Sequence, residues 1–292
     1  MPFIFFDKVG FKMREVSVKE ITKQLKDMCM KANYDLSADV KAKLVLQASL
    51  EVSPIGESIL KDIVKNADIA KENSVPMCQD TGMAVVFLEI GQDVHLVDGD
   101  VKEAIHEGVR QGYKEGFLRK SVVKDPILRG NTGDNTPAVI HIDIVQGDHV
   151  KVTLAPKGFG SENMSRSKML KPSDGMQGVE DFIVETVSLA GPNPCPPIVV
   201  GVGVGGTIEK AALMAKHALT KELNDKHPEI HISELEERAL ERINKLGIGP
   251  QGLGGITTAL GINIETYPTH IAGLPVVVNI NCHAARHIEC VL

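Results

Sequence analysis

The sequence predicts an α/β or α+β fold, helical in its first third and built on a mixed sheet with helices thereafter. Three observations predict it. Before Val75, successive segments carry apolar residues at helical spacing; after it, short apolar strands alternate with helical segments; and the loops between are crowded with Gly, Pro, Asn and Cys.

The helical third comes first. Val18, Ile21, Leu25 and Met28 fall on one stripe of a helix over Glu15 to Asn33. A second helix is expected over Ala38 to Ser49 and a third over Ile55 to Lys71, while Met13 directly precedes the first clean pattern. Residues 1–12 therefore read as a tail or an upstream start. The rest, 13–292, reads as one domain, with its helical part ending near residue 75. Cys29 lies beside the first apolar stripe and is read as a small buried hydrophobe.

The next stretch, Val75 to Gly82, puts Cys78, Gln79, Asp80 and Thr81 between Pro76 and Gly82, which is turn chemistry loaded with reactive groups. A strand over Ala84 to Ile90 and a helix over Val101 to Gly116 follow, then a turn-rich loop from Arg129 to Pro137. Ala138 to Ile144 and His149 to Leu154 read as a strand pair about the Gln146-Gly147-Asp148 turn. After the polar loop Lys157 to Ser165 comes a helix over Val179 to Leu189. Cys195 then sits among prolines just before the strand Ile198 to Val204.

That strand runs into glycines at 201, 203 and 206, the spacing of a dinucleotide-binding turn, with a helix over Thr207 to Leu223 behind it. A nucleotide site would next need a buried strand ending in an acidic residue. The following stretch, His227 to Lys245, is instead charged and helical in pattern, so close strand-to-helix packing is the better account of these glycines. A nicotinamide-dependent oxidoreductase using Gly201 to Gly206 is the alternative of a different class. The chain closes with a glycine-rich run from Gly247 to Gly255, the segment Ile262 to Tyr267, His270, the strand Leu274 to Ile280, and the loop Asn281 to His287 holding Cys282.

Composition narrows the function. A net charge of -6 leaves no basic surplus to neutralise phosphates, so nucleic acid is not an expected partner. No apolar run approaches the ~18 residues of a membrane span. Five cysteines, odd in number and without a close-spaced pair, suit a reducing compartment, and a cytoplasmic location is expected. Cys78, Cys195 and Cys282 share one property: each lies at a loop or strand end beside Pro, Gly or Asn. Three loops could bring thiolates to one metal centre, or the cysteines could simply be scattered.

The runs Met77 to Gly82, Asn131 to Pro137, Ala155 to Ser165, Asn193 to Gly206 and Gly254 to His287 together resemble class I fumarate hydratases. These are oxygen-sensitive iron-sulfur hydro-lyases, a family shared with L(+)-tartrate dehydratase. The resemblance implies that Cys78, Cys195 and Cys282 hold a 4Fe-4S cluster whose fourth iron is free to bind a small dicarboxylate. It also implies that Asp80, hydrogen-bonded to His270, handles the substrate hydroxyl, and that Gln79, Arg119 and the backbone at Gly160 contact substrate. His283, Arg286 and His287 are near Cys282 in sequence but receive no role. One-chain members of the family continue into a second domain that carries the carbon base. Because this sequence stops at Leu292, the resemblance implies an α subunit completed by a separate β subunit, with fumarate to L-malate as the first expectation and L(+)-tartrate to oxaloacetate as the alternative.

Overall fold

A computed structural model describes residues 13–292; the tail expected over 1–12 lies outside them. The fold is mixed α/β, as the sequence predicts. In chain order the elements are β1 (Arg14–Ser17), α1 (Val18–Tyr34), α2 (Ala38–Leu50), α3 (Pro54–Asn73), β2 (Met83–Gly91), β3 (Val94–Val97), α4 (Val101–Glu115), β4 (Val139–Val145), β5 (Val150–Lys157) and the single turn α5 (Phe159–Glu162). There follow β6 (Arg166–Leu170), α6 (Gly175–Ala190), β7 (Ile198–Gly205), α7 (Ile208–Ala218), α8 (Ile230–Asn244), β8 (Ala259–Tyr267), β9 (Leu274–Asn281) and β10 (Ile288–Val291). Among the described residues, no helix is long and apolar enough to cross a membrane.

The helices start where their caps dictate. Ser17 accepts the Lys19 N–H, Ser53 accepts the Gly56 N–H with Pro54 opening the first turn, and Asp100 accepts from both Lys102 and Glu103. Some boundaries differ from expectation. Glu15 to Ser17 is extended, because β1 pairs in parallel with β3 before its Ser17 caps α1. The helix expected over Thr207 to Leu223 ends at Ala218.

Besides the β1–β3 pair, the strands form two four-stranded mixed sheets, in the orders β10-β5-β2-β4 and β6-β9-β7-β8, where one sheet was expected. The anticipated β4–β5 hairpin is not made. The turn is present, but β2 lies between the two strands, parallel to β4 and antiparallel to β5. Gly91, closing β2, has room only because it is glycine: an added Cβ would lie 2.3 Å from the Gly147 carbonyl.

Helices α1 and α4 cover one face of the first sheet, and Ile21, Leu25, Ile105, Val109 and Tyr113 are fully buried against Val86, Leu88 and Leu154. Helices α6 and α8 cover one face of the second sheet. Helix α7 packs on its other face and also reaches the first sheet, where His217 meets Phe87 edge-on at 5.1 Å. This packing accounts for the dinucleotide-like glycines. Added Cβ atoms at Gly201 and Gly203 would lie 2.3 and 2.0 Å from the Ala215 and Ala211 carbonyls of α7, so the helix backbone fills the space a phosphate would need. Helices α2 and α3 share a third core with Met77, Val199, Leu260, Ala284 and Ala285, and so reach the loops on either side of it.

Candidate active site

The Val75 to Gly82 stretch is a loop pinned on every side. The Asn33 carbonyl of α1 accepts the Met77 N–H, and Asn66 of α3 donates to the Met77 carbonyl. The buried Tyr113 hydroxyl lies 2.8 and 2.9 Å from the Thr81 and Gly82 carbonyls, and Asn135 donates to the Gly82 carbonyl. Gly82 takes φ +82°, and a Cβ there would lie 2.7 Å from the Lys157 nitrogen. Loop and strand end are thus locked together, which fixes where Cys78, Gln79 and Asp80 emerge.

The other two cysteines come from opposite directions to the same place. Cys195 precedes β7 in the left-handed region, φ +56°, a costly conformation for a residue with a side chain. Cys282 follows β9, and because β7 and β9 are antiparallel both cysteines lie at one end of the second sheet. His283 ties them, its Nδ1 standing 3.0 Å from the Cys195 carbonyl, and Gln251 donates to the Pro196 carbonyl alongside.

Electrostatics report the convergence. Burial pushes the Cys195 thiol above its ordinary value, and the neighbouring Cys282 and Cys78 push it further, which means the three thiolates would repel one another. At Cys282 burial also raises the thiol, Arg286 and Lys157 pull it down, and Cys78 opposes them. Among the described residues no group of three His, Cys, Asp or Glu side chains converges on a single metal ion. A polynuclear cluster asks for something different: mutually close thiolates, each bonded to a different iron, with positive charge to relieve their repulsion. The three thiols fit that requirement.

Asp80 stands beside them. Its carboxylate accepts the Gly82 N–H at 3.0 Å and the Phe159 N–H at 2.9 Å. Residue 160, next along that turn, is a glycine with no conformational or packing reason inside this chain. An added Cβ would meet only the Asn193 carbonyl, 4.0 Å away in the Cys195 loop, so the backbone there is left bare for a close approach. A cleft of about 620 Å³ opens between Asp80, Phe159, Arg119 and Arg129. Neither guanidinium forms an ion pair among the described residues, and the Arg119 carbonyl accepts from Thr81, tying the loop after α4 to the Asp80 loop. Gln79 is exposed at the same turn.

The expected Asp80–His270 hydrogen bond is not made within the chain. Asp80 is engaged by Gly82 and Phe159, whereas His270 lies exposed beyond β8, its Nδ1 accepting from Ala272. His270 and Cys282 flank opposite ends of the eight-residue strand β9, separated by roughly 25 Å of extended backbone.

The structure adds two cations that the sequence reading left without a role. Arg286 is buried, donates to Asn33 Oδ1 and to the Asp80 carbonyl at 2.8 Å each, and keeps its Nε without a hydrogen-bond partner among the described residues. Lys157, at the end of β5, donates to the Gly158 carbonyl and the Ser161 hydroxyl and pairs with Glu162, which also binds Lys216 and Asn279. Burial draws the Lys157 ammonium down to about 8, against the pull of Glu162. A lysine at a strand end and an arginine after a cysteine look like surface residues in sequence; only burial distinguishes them. His287 stays apart: burial draws its ring below its ordinary value, against the pull of Asp39, Glu289 and Glu222.

With this geometry fixed, comparison with known proteins becomes decisive. Residues 22–291 match the family described as Fumarate hydratase (Fumerase). The chain belongs to the fumarate hydratase family. It is 45% identical over 257 residues to the "Putative L(+)-tartrate dehydratase subunit alpha" of Methanocaldococcus jannaschii, covering 86% of this chain and 90% of that one. It is 32% identical over 276 residues to the L(+)-tartrate dehydratase subunit alpha of Escherichia coli K12, covering 94% and 91%. The α subunit of Shigella boydii matches to the same extent. As a member of this hydro-lyase family the chain is an enzyme or enzyme subunit, and its likeness to α subunits extends over nearly their full length.

Proposed function

We propose that this chain is the cluster-bearing α subunit of a hydro-lyase acting on a small dicarboxylate. What supports the reading is the mutual influence of the Cys78, Cys195 and Cys282 thiols, carried on three separate loops, together with a cleft lined by Asp80, two residues from Cys78, and by Arg119. These three cysteines would hold a 4Fe-4S cluster. When bound, it supplies an iron without a protein ligand, a Lewis acid for the substrate hydroxyl.

The remaining work belongs to side chains and backbone. The Arg119 fork faces a substrate carboxylate, with the Gln79 amide and the bare backbone at Gly160 completing the grip. Asp80, held by two N–H donors, exchanges the proton on the hydroxyl side. Within one chain that task falls to Asp80 alone, His270 being at the other end of β9. Arg286 fixes the Asp80 backbone and presents cationic charge toward Cys282, and the ammonium of Lys157 adds to it. Proton removal from carbon falls to a β subunit, a partner suggested by the α-subunit names of the relatives. Free cysteines suit a reducing cytoplasm. Fumarate is the first substrate, following the family description, and L(+)-tartrate the second, favoured by the relatives' names.

The test is anaerobic reconstitution with iron and sulfide, followed by visible absorbance and iron counting. Wild type, Cys29→Ser and Cys290→Ser should take up about four irons. Cys78→Ser, Cys195→Ser and Cys282→Ser should each lose the brown chromophore, and colour that survives loss of any of these three defeats the assignment. Assay of the reconstituted chain with fumarate and L(+)-tartrate, with and without a co-expressed β subunit, then separates the substrates. Full turnover by the chain alone would rule out the two-subunit reading.

A further inference from the structure

The first sheet ends on β4, whose outer edge has no strand beside it among the described residues. Apart from His141 and Asp143, that edge carries none of the usual protections. Its sequence, Val-Ile-His-Ile-Asp-Ile-Val, contains no Pro, Gly or Lys, and Val139, Ile142, Ile144 and Val145 are all exposed, Ile144 to 72%. A long apolar edge of this kind is a template for another strand.

Hydrogen-bond phase says which residues are available. The Gln92 N–H donates to the Val145 carbonyl at 2.8 Å, and β2 and β4 pair in parallel with Gly91 beside Val145. Val145, Asp143, His141 and Val139 therefore turn their peptide groups inward to β2. The peptide groups of Ile140, Ile142 and Ile144 point outward.

The strand is self-complementary about Ile142. Laid antiparallel on a second copy, Ile142 opposes its own counterpart, Ile140 opposes Ile144, Val139 opposes Val145, and His141 opposes Asp143. We propose that β4 is a two-fold docking edge at which two copies of this chain pair antiparallel about Ile142, joining their first sheets into one. In this register the outward-facing isoleucines fall at the hydrogen-bonded positions. His141 and Asp143 fall at the non-hydrogen-bonded positions, where opposing side chains come closest, so the interface holds two His–Asp pairs. Slipping by two residues sets His141 against His141 or Asp143 against Asp143, and slipping by one turns inward-facing peptide groups to the partner. Among these registers only the one centred on Ile142 satisfies both charge and backbone.

Sedimentation of the full chain from pH 7 down to pH 5 tests this, because burial against Phe87 and the nearby Lys216 hold the His141 ring below its ordinary value while Asp143 pulls it up. Wild type is expected to dimerise. His141→Asp and Asp143→His, each of which sets like against like in both pairs, should weaken self-association about tenfold or more. The double variant H141D/D143H restores opposition and should recover the dimer, as should an equimolar mixture of the two single variants. Ile142→Pro, which removes an outward N–H, should abolish it, with circular dichroism checking that the fold is kept. A monomeric wild type, a dimer indifferent to Ile142→Pro, or no recovery in the double variant would each overturn the proposal.

Discussion

The two ends of the β7–β9 pair are built differently. At one end Cys195 and Cys282 leave their strands into backbone held by side chains from distant parts of the chain: His283 and Gln251 on Cys195 and Pro196, Arg286 on Asp80, and Glu51 on Ile256 and Thr257. At the other, the link from β8 to β9 is tied by Thr269 to the Gly206 carbonyl and by a contact within its own turn, and Ile271 is 91% exposed. The difference separates a preorganised site from a surface turn. Loops that position reactive groups need more fixed contacts than their length would justify for packing alone.

Arg286 is where that difference should be largest. Arg286→Met leaves the Asn33 Oδ1 and the Asp80 carbonyl buried without their donor, so the chain should lose about 3 kcal/mol of stability in denaturant titration. It should also take up iron poorly, because the Asp80 loop carries Cys78. A loss below about 1 kcal/mol would mean that the loop is held chiefly by Tyr113 and Asn135.

Glu51 tests the same end from farther away. Its carboxylate accepts the backbone N–H groups of Val52, Ser53, Ile256 and Thr257, fastening the glycine-rich loop that abuts Pro196. Burial pushes this carboxyl up, but the bonds from Ile256, Ser53 and Thr257 outweigh it and hold the group below its ordinary value. Its stabilisation is therefore complete above the unfolded carboxylate range, near pH 4.3, and is lost as pH falls through the lower folded value. Glu51→Gln should cost about 2 kcal/mol at neutral pH. The variant should then show a shallower loss of stability than wild type below pH ~4.3, and parallel acid curves would disprove the role.

Much of this was legible beforehand. The three early helices follow from apolar spacing, and the cysteine loops from Pro, Gly and Asn beside each thiol, both local signals. What escaped was non-local. The Gln146-Gly147-Asp148 turn signals a hairpin correctly as a turn, yet nothing in it tells that β2, some fifty residues upstream, will lie between the strands it joins. Lys157 and Arg286 have the sequence context of solvated cations, and their burial is decided by α5 and by Asn33. The pairing of Asp80 with His270 is not made within one chain for a similar reason: antiparallel order puts Cys282 and His270 at opposite ends of one strand.

His270→Ala is accordingly the smallest effect and the sharpest control. The ring is exposed and its hydrogen bond among the described residues lies within its own turn, so stability should change by less than about 0.5 kcal/mol, the range of surface substitutions. Iron uptake should match wild type, because none of the contacts that position Cys78, Cys195 or Cys282 involves this residue. Loss of the chromophore in His270→Ala would mean that the open end and the cysteine end communicate within one chain, and the contrast between them would collapse. If turnover falls while stability and iron content do not, His270 acts in a site assembled with another chain, because β9 keeps it away from its own Asp80.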